Sequence, residues 1–201
     1  MSPALAATVN SVMQDATVLG LPVCAPAGVW AGGTLRPAFP GTHPDVLACG
    51  ATRAARQGAG LAEQPMVNTA GPPSASTLWP MEPWQAQAIG IAGVPGRPVP
   101  DVSALAGGEV GYRVHVNGGW TSLTGPGAAA CLWAGLLARL RQALGRPVSV
   151  AGSLYRTLGP AGCLLPVPAL PQGARSAPAW DSRVGWGSPD GQRILAKLSA
   201  R

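Results

Sequence analysis

Between Gly127 and Leu144 the chain carries no turn signal and no charge before Arg139, while Leu132, Trp133, Leu136, Leu137, Leu140 and Leu144 recur at helical spacing. A helix with so broad an apolar face belongs inside a fold, so other layers must cover it. Gly145, with Pro147 just beyond, supplies its end. The covering layer is legible upstream. Leu21 to Ala25 and Val46 to Cys49 are short continuous apolar runs, the pattern of strands buried on both faces in a parallel sheet. A helix with Leu5, Val9, Val12, Met13, Ala16 and Leu19 on its apolar positions precedes the first run and stops at Gly20. A glycine-rich turn, Gly28 to Gly33, follows that run, and Gly50 is expected to end the second. Tyr112 to Val116 alternates as a strand, and Asn117-Gly118-Gly119 provides a hairpin turn into Trp120 and Thr121. Ser188-Pro189 reads as the cap and first position of a closing helix. The fold class is therefore α/β.

A chain of 201 residues with 47% apolar content has room for one real core. Glycine (28) and proline (22) together make up about a quarter of it, without a collagen period, so loops are abundant. Charged residues at 11% leave no long solvated helix or coiled coil. The net charge of +6 is carried by arginines scattered from Arg36 to Arg201, with Lys197 the sole lysine; no basic, aromatic-interleaved patch exists, so no nucleic-acid partner is expected. Cys24, Cys49, Cys131 and Cys163 form no CxxC pair and have no histidine at metal-ligand spacing; three sit within apolar runs, where a free cysteine is a small buried hydrophobe, and a disulfide is possible but has no support in their spacing. Pro22 and Pro26 interrupt the uncharged run from Ala16 to Leu35, which argues against a membrane span. The first residues lack a basic, compactly apolar leader, so the chain as written is expected in the cytoplasm, or secreted only as part of a larger or split precursor.

Several blocks carry a resemblance. Phe39-Pro40-Gly41-Thr42-His43-Pro44-Asp45-Val46-Leu47-Ala48-Cys49-Gly50-Ala51-Thr52 is similar to FPASSPYVTAVGGT, Pro100-Asp101-Val102-Ser103-Ala104 to PDVSA, and Gly111-Tyr112-Arg113-Val114 to GYRV. Trp120 to Gly135 is similar to WTVVGGTSAAAPLWAG, and Trp180 to Gly191 to WDPVTGLGSPNG. Their order and spacing resemble the C-terminal half of the catalytic domain of the sedolisins, the serine-carboxyl peptidases. The resemblance runs from about Leu19 to Leu198 and is weakest over 53–95 and 156–178. It implies one truncated domain over 1–201: a subtilisin-like parallel sheet with flanking helices, its N-terminal part missing.

The resemblance also says where chemistry should sit. The family uses a serine nucleophile at the start of a buried helix, a glutamate base with a supporting aspartate, and an aspartate at the oxyanion site. Here Gly125-Pro126-Gly127-Ala128-Ala129-Ala130 stands where the family has GTSAAA, so the nucleophile position is Gly127. Pro26-Ala27-Gly28-Val29-Trp30 stands where it has ASGDS, so the oxyanion position is Val29. The Glu-bearing helix belongs to the half this chain lacks. The substrate groove of the family maps to Gly71, Ser74 and Gly125, with prolines 72 and 73 interrupting its strand. Asp181 matches one aspartate of the family's calcium site, but Arg156-Thr157-Leu158-Gly159 offers no second, so no cofactor is expected and calcium only at a weakened site.

The expectation is a catalytically inactive, sedolisin-like pseudo-peptidase that binds a protein or peptide. A companion chain supplying the N-terminal half, self-association and a smaller rebuilt sheet are its three ways of covering the open fold. The alternative is a serine-type endopeptidase completed by another chain. Among other chemistry-bearing residues, Cys131 is expected to point inward, His43 to lie in a loop and His115 in a strand. Asp101 is expected in a structural turn, Ser122 on a strand, and Glu63, Glu82 and Glu109 in loops.

Overall fold

The computed structural model describes residues 3–31, 34–58, 60–66, 73–91, 93–108, 111–148, 150–167 and 178–200. The chain opens with helix α1 (Pro3–Val18), then strand β1 (Val23–Pro26) and a hairpin of β2 (Gly28–Ala31) and β3 (Thr34–Pro37). Strands β4 (Val46–Gln57) and β5 (Gly60–Pro65) follow, then β6 (Ser74–Ala75), helix α2 (Pro83–Ile89), β7 (Pro98–Val99) and β8 (Val102–Gly108). A second hairpin, β9 (Tyr112–Val116) and β10 (Gly119–Leu123), leads into the long helix α3 (Pro126–Leu144). The end of the chain comprises α4 (Val150–Ser153), a π-helical turn at Leu154–Leu158, β11 (Leu164–Leu165), β12 (Ser188–Pro189) and α5 (Gly191–Ser199).

The central sheet joins β1, β4 and β8 in parallel, with β5 antiparallel to the second half of β4. Alternation then decides the layers. Leu47, Cys49 and Ala51 of β4, with Val102, Ala104 and Ala106 of β8, pack in one core with Ala129, Ala130, Trp133, Leu137 and Leu140 of α3. Small strand residues let the helix approach closely, and the Trp133 Nε1–H is satisfied by the Ser103 carbonyl at 2.9 Å. A smaller cluster of Ala27, Leu35, Ala48 and Val99 fills the other face.

Four expectations about elements are corrected. β4 does not stop at Gly50 but runs through it to Gln57. A Cβ at Gly50 would come within 2.6 Å of Ser103 Oγ and 2.9 Å of Pro100, so the glycine serves close approach within the sheet, not its end. Gly28 to Gly33 is not a simple turn, since residues 28–31 form a strand paired with β3. Glu63 lies on β5 rather than in a loop. The cap of α5 is Asp190, whose carboxylate accepts the Arg193 N–H, while Ser188 and Pro189 form β12. The hairpin expected at Asn117-Gly118 is present, both residues having positive φ (52° and 79°) as a tight turn of this kind requires.

Candidate functional site

Because β1, β4 and β8 run parallel, their carboxyl ends open the same way, where α/β sheets place their ligands. β1 and β8 each lead from their carboxyl ends into a segment that carries one of the expected positions. β1 feeds the β2–β3 hairpin carrying Val29, which is 59% exposed and paired with Arg36. From the end of β8, the Ala106 carbonyl accepts the Gly125 N–H and so fixes the start of α3. Gly127 is the second residue of that helix; it is exposed, and an added Cβ would meet nothing within 4 Å. Ser74 donates its hydroxyl to the Leu35 carbonyl at 2.7 Å, which ties β6 to the hairpin of Val29. Gly125 is the N-cap of α3 with φ 114° and provides no side-chain cap. Gly71 lies outside the described residues. The two positions therefore lie on separate elements, an exposed helix N-terminus and an exposed hairpin, with no nucleophilic side chain at Gly127.

The neighbouring hydroxyls do not replace one. Ser122 (on β10, as expected) and Thr124 are exposed, and neither is hydrogen-bonded to a carboxylate or imidazole among the described residues. Cys131 is corrected: it is exposed, because Ala130 and Trp133 take the buried stripe of α3 and 100° per residue turns position 131 away. All four cysteines are free thiols. Burial pushes the Cys49 thiol well up, whereas a hydrogen bond with Cys49 lowers that of Cys24.

The amino end of the sheet is built differently. Asp101, fully buried just before β8, accepts Arg97 at 2.5 Å and the Ala48 N–H at 2.7 Å on Oδ2, and the Tyr155 hydroxyl at 2.7 Å on Oδ1. Gln85 donates to the Tyr155 oxygen at 2.9 Å, and Arg97 also donates to the Gly41 and Val46 carbonyls. Burial first, then the Asp101 carboxylate, pushes the Tyr155 hydroxyl well up, so it stays a donor. The residues 85, 97, 101 and 155 are far apart in the chain; no spacing marks them, although the turn role expected of Asp101 holds.

Asp181 is placed here as well, in a turn closed by bonds to Gly185, which packs on the Asp101 backbone. Arg183 takes both of its carboxylate oxygens, Nε on Oδ1 at 3.0 Å and an Nη on Oδ2 at 2.8 Å. Asp181 in turn raises the Arg183 guanidinium above its ordinary value. Calcium needs six to eight oxygens. No group of three or more histidine, cysteine or acidic residues able to hold a metal exists among the described residues. A carboxylate already neutralised by an internal guanidinium does not fit the calcium ion the resemblance implied.

His43 lies in its expected loop but is fully buried, with its Nδ1 accepting the Asp45 N–H at 3.1 Å and its ring edge-on to Trp79 at 4.6 Å. Burial lowers its pKa, against a smaller opposing pull from Asp45. His115 is on β9, against Trp120. Glu63 accepts the hydroxyls of Thr52 and Ser188, an internal tie between β4, β5 and β12. Glu82 is the N-cap of α2, and Glu109 lies outside the described residues. No described helix is long and apolar enough to cross a membrane.

Comparison with known proteins gives these features a family. The chain is 34% identical to kumamolisin of Bacillus sp. (strain MN-32) over 98% of its length, and 29% identical to sedolisin of Pseudomonas sp. (strain 101) over 90%. It spans only 40% and 33% of the lengths of these two relatives. Its fold matches the structure of Pseudomonas sedolisin, a serine-carboxyl proteinase complexed with pseudo-iodotyrostatin, with a TM-score of 0.75, 20% identity, and coverage of 96% of this chain and 59% of that one. Sphericase matches more distantly, with a TM-score of 0.51 and 19% identity over 90% of this chain and 51% of its own. No family model matches.

Proposed function

Because the chain belongs to the sedolisin family, as the carboxyl-terminal portion of its subtilisin-like domain, we propose that it is a pseudo-peptidase: a protein- or peptide-binding scaffold without hydrolytic activity. The observation that carries this reading is Gly127, exposed at the start of α3 in the position the family resemblance gives to the nucleophile. Acyl transfer needs an atom to attack the carbonyl and a base to take its proton. Glycine supplies neither, and Val29 offers no hydrogen bond to an oxyanion. What the carboxyl end of the sheet keeps is suited to binding. The exposed N-terminus of α3 and the exposed Val29 on the β2–β3 hairpin leave backbone to which an extended peptide can add. Calcium has no part in this reading, because Arg183 already balances Asp181.

The deciding assay incubates the chain with a denatured protein substrate between pH 3 and 8 and measures new amino termini. No turnover is expected at any pH. Turnover abolished by a serine-peptidase inhibitor would establish the rival, a serine endopeptidase completed by other residues or another chain. Binding is read separately, by fluorescence anisotropy of labelled extended peptides.

A further inference from the structure

Helix α1 turns a polar face toward the rest of the molecule. Asn10, Gln14 and Thr17, spaced i, i+4 and i+7, fall on one side of it and line a cavity of about 480 Å³. A surface helix ordinarily presents apolar residues inward and polar ones to solvent. Here Leu5 and Val12 are 53% and 58% exposed, while the amides of Asn10 and Gln14 border the cavity. The cavity lies at the amino ends of β1 and β4, where Val23 and Asp45 stand, away from the end that leads to Val29 and Gly127. Its volume falls within the range of small-molecule sites, about 300–1,000 Å³.

The wall opposite α1 is chemically specific. Trp79 and Trp84 supply two indoles, and Asp45 and Glu82 two carboxylates. Both rings are held in place. Trp79 meets His43 edge-on at 4.6 Å and donates its backbone N–H to Ser76 Oγ at 3.0 Å, and Trp84 packs on Tyr155 at 5.0 Å. The carboxylates, by contrast, have no structural task. Glu82 is the N-cap of α2, yet its side chain caps nothing. Asp45 is held through its backbone, whose N–H donates to His43 Nδ1 at 3.1 Å. Neither side chain has a hydrogen bond or an ion pair among the described residues, in a chain of net charge +6. No lysine, arginine or histidine lines the cavity among the described residues, and the nearby Arg141 is occupied by the Gly20 carbonyl at 3.1 Å. Half-buried carboxylates without a counter-charge, beside two fixed indoles, are complementary to an organic cation. The carboxylates accept its N–H groups, and the ring faces attract its charge.

We propose that this cavity is a binding site for a small organic cation that carries N–H donors, an alkylguanidinium or alkylammonium ion. A guanidinium suits it best, because its planar fork can stack on an indole while donating two parallel bonds to a carboxylate. Asn10 and Gln14 add carbonyl acceptors from the side of α1. The site is separate from the carboxyl end of the sheet, so it does not depend on whether the chain hydrolyses peptides.

The test titrates the full chain with n-butylguanidinium, n-butylammonium and n-butylurea by isothermal calorimetry, with tryptophan fluorescence as a second readout. Saturable binding of at least one cation, at one site per chain, is expected, and the tighter of the two names the head group. The urea has nearly the shape of the guanidinium without its charge and should bind at least about tenfold more weakly. Asp45→Asn with Glu82→Gln should weaken the cation at least about tenfold while leaving the circular dichroism spectrum unchanged. Asp15→Asn removes a charge from α1 outside the cavity and should change the affinity by less than about twofold. No saturable binding of either cation at millimolar concentration, equal binding of the urea, or an equal loss in Asp15→Asn would overturn the proposal. The urea comparison needs no variant, so it decides the matter even if the double substitution unfolds the chain.

Discussion

The two ends of the parallel strands have opposite characters. At the carboxyl end the positions aligned with family chemistry are a glycine and a valine, both exposed, and a cap residue that gives α3 no side chain. At the amino end Arg97, Asp101, Tyr155 and Gln85 are wholly buried and bonded to one another. The difference separates what folding needs from what hydrolysis needs. A buried carboxylate must be neutralised and hydrogen-bonded or the fold fails, whatever the protein does. An exposed position at a helix N-terminus has no such obligation, so a residue there is free of the fold and answerable only to chemistry.

The largest effect should therefore come from the amino end. Arg97→Met keeps the bulk but leaves Asp101 buried without its cation, and should cost about 3–5 kcal/mol in urea unfolding. A cost below about 1 kcal/mol would break the contrast, because the network would then be replaceable. His43 gives a smaller, pH-dependent effect. Its folded pKa lies below the ordinary 6.5, so the unfolded chain binds the proton more readily. Stability is then present above about pH 6.5 and is lost as pH falls below it, at no more than about 1.4 kcal/mol per pH unit from this one group. Protonation at Nδ1 would also break the bond from the Asp45 N–H. His43→Gln should flatten the slope between pH 7 and 5; an unchanged slope would assign it to other groups.

Asp181 comes next. Asp181→Asn removes the charge that pairs with the little-exposed Arg183 but keeps an oxygen for its N–H groups, and should cost about 1 kcal/mol. Millimolar calcium or a chelator should leave the thermal midpoint of the unmodified chain where it is. A calcium-dependent rise would mean that the ion displaces Arg183, and the amino end would then hold a metal site after all.

How much of this the sequence discloses depends on how local the cause is. The start and end of α3, the Asn117-Gly118 hairpin and the parallel character of β1 and β4 follow from residues within a few positions of each other. Gly50 misleads because its reason is tertiary: Ser103 and Pro100 press against it from β8 and the segment before it. Ser188 misleads as a cap because Asp190 competes for the same role two residues later. Cys131 follows from α3 once the buried stripe is drawn through Ala130, Trp133 and Leu137. The Arg97–Asp101 network joins four separate segments, and no spacing rule reaches across them. The candidate site is the extreme case. Nothing in the residues around Gly127 and Val29 singles them out, and only alignment of the surrounding blocks with a family gives the two positions a meaning.

That meaning is tested by the smallest structural change of all. A Cβ at Gly127 meets nothing within 4 Å, and serine is at least as good a helix residue as glycine. Gly127→Ser should therefore shift stability by no more than about 0.5 kcal/mol. It restores a hydroxyl at the start of α3 but neither a base to deprotonate it nor a donor at Val29, so no turnover of a denatured protein substrate is expected. Turnover by Gly127→Ser, with none by the unmodified chain, would mean that a base already stands within reach, so that glycine alone silences the site. The carboxyl end would then be an intact peptidase site short of one side chain, and the contrast between the two ends would narrow to that single position.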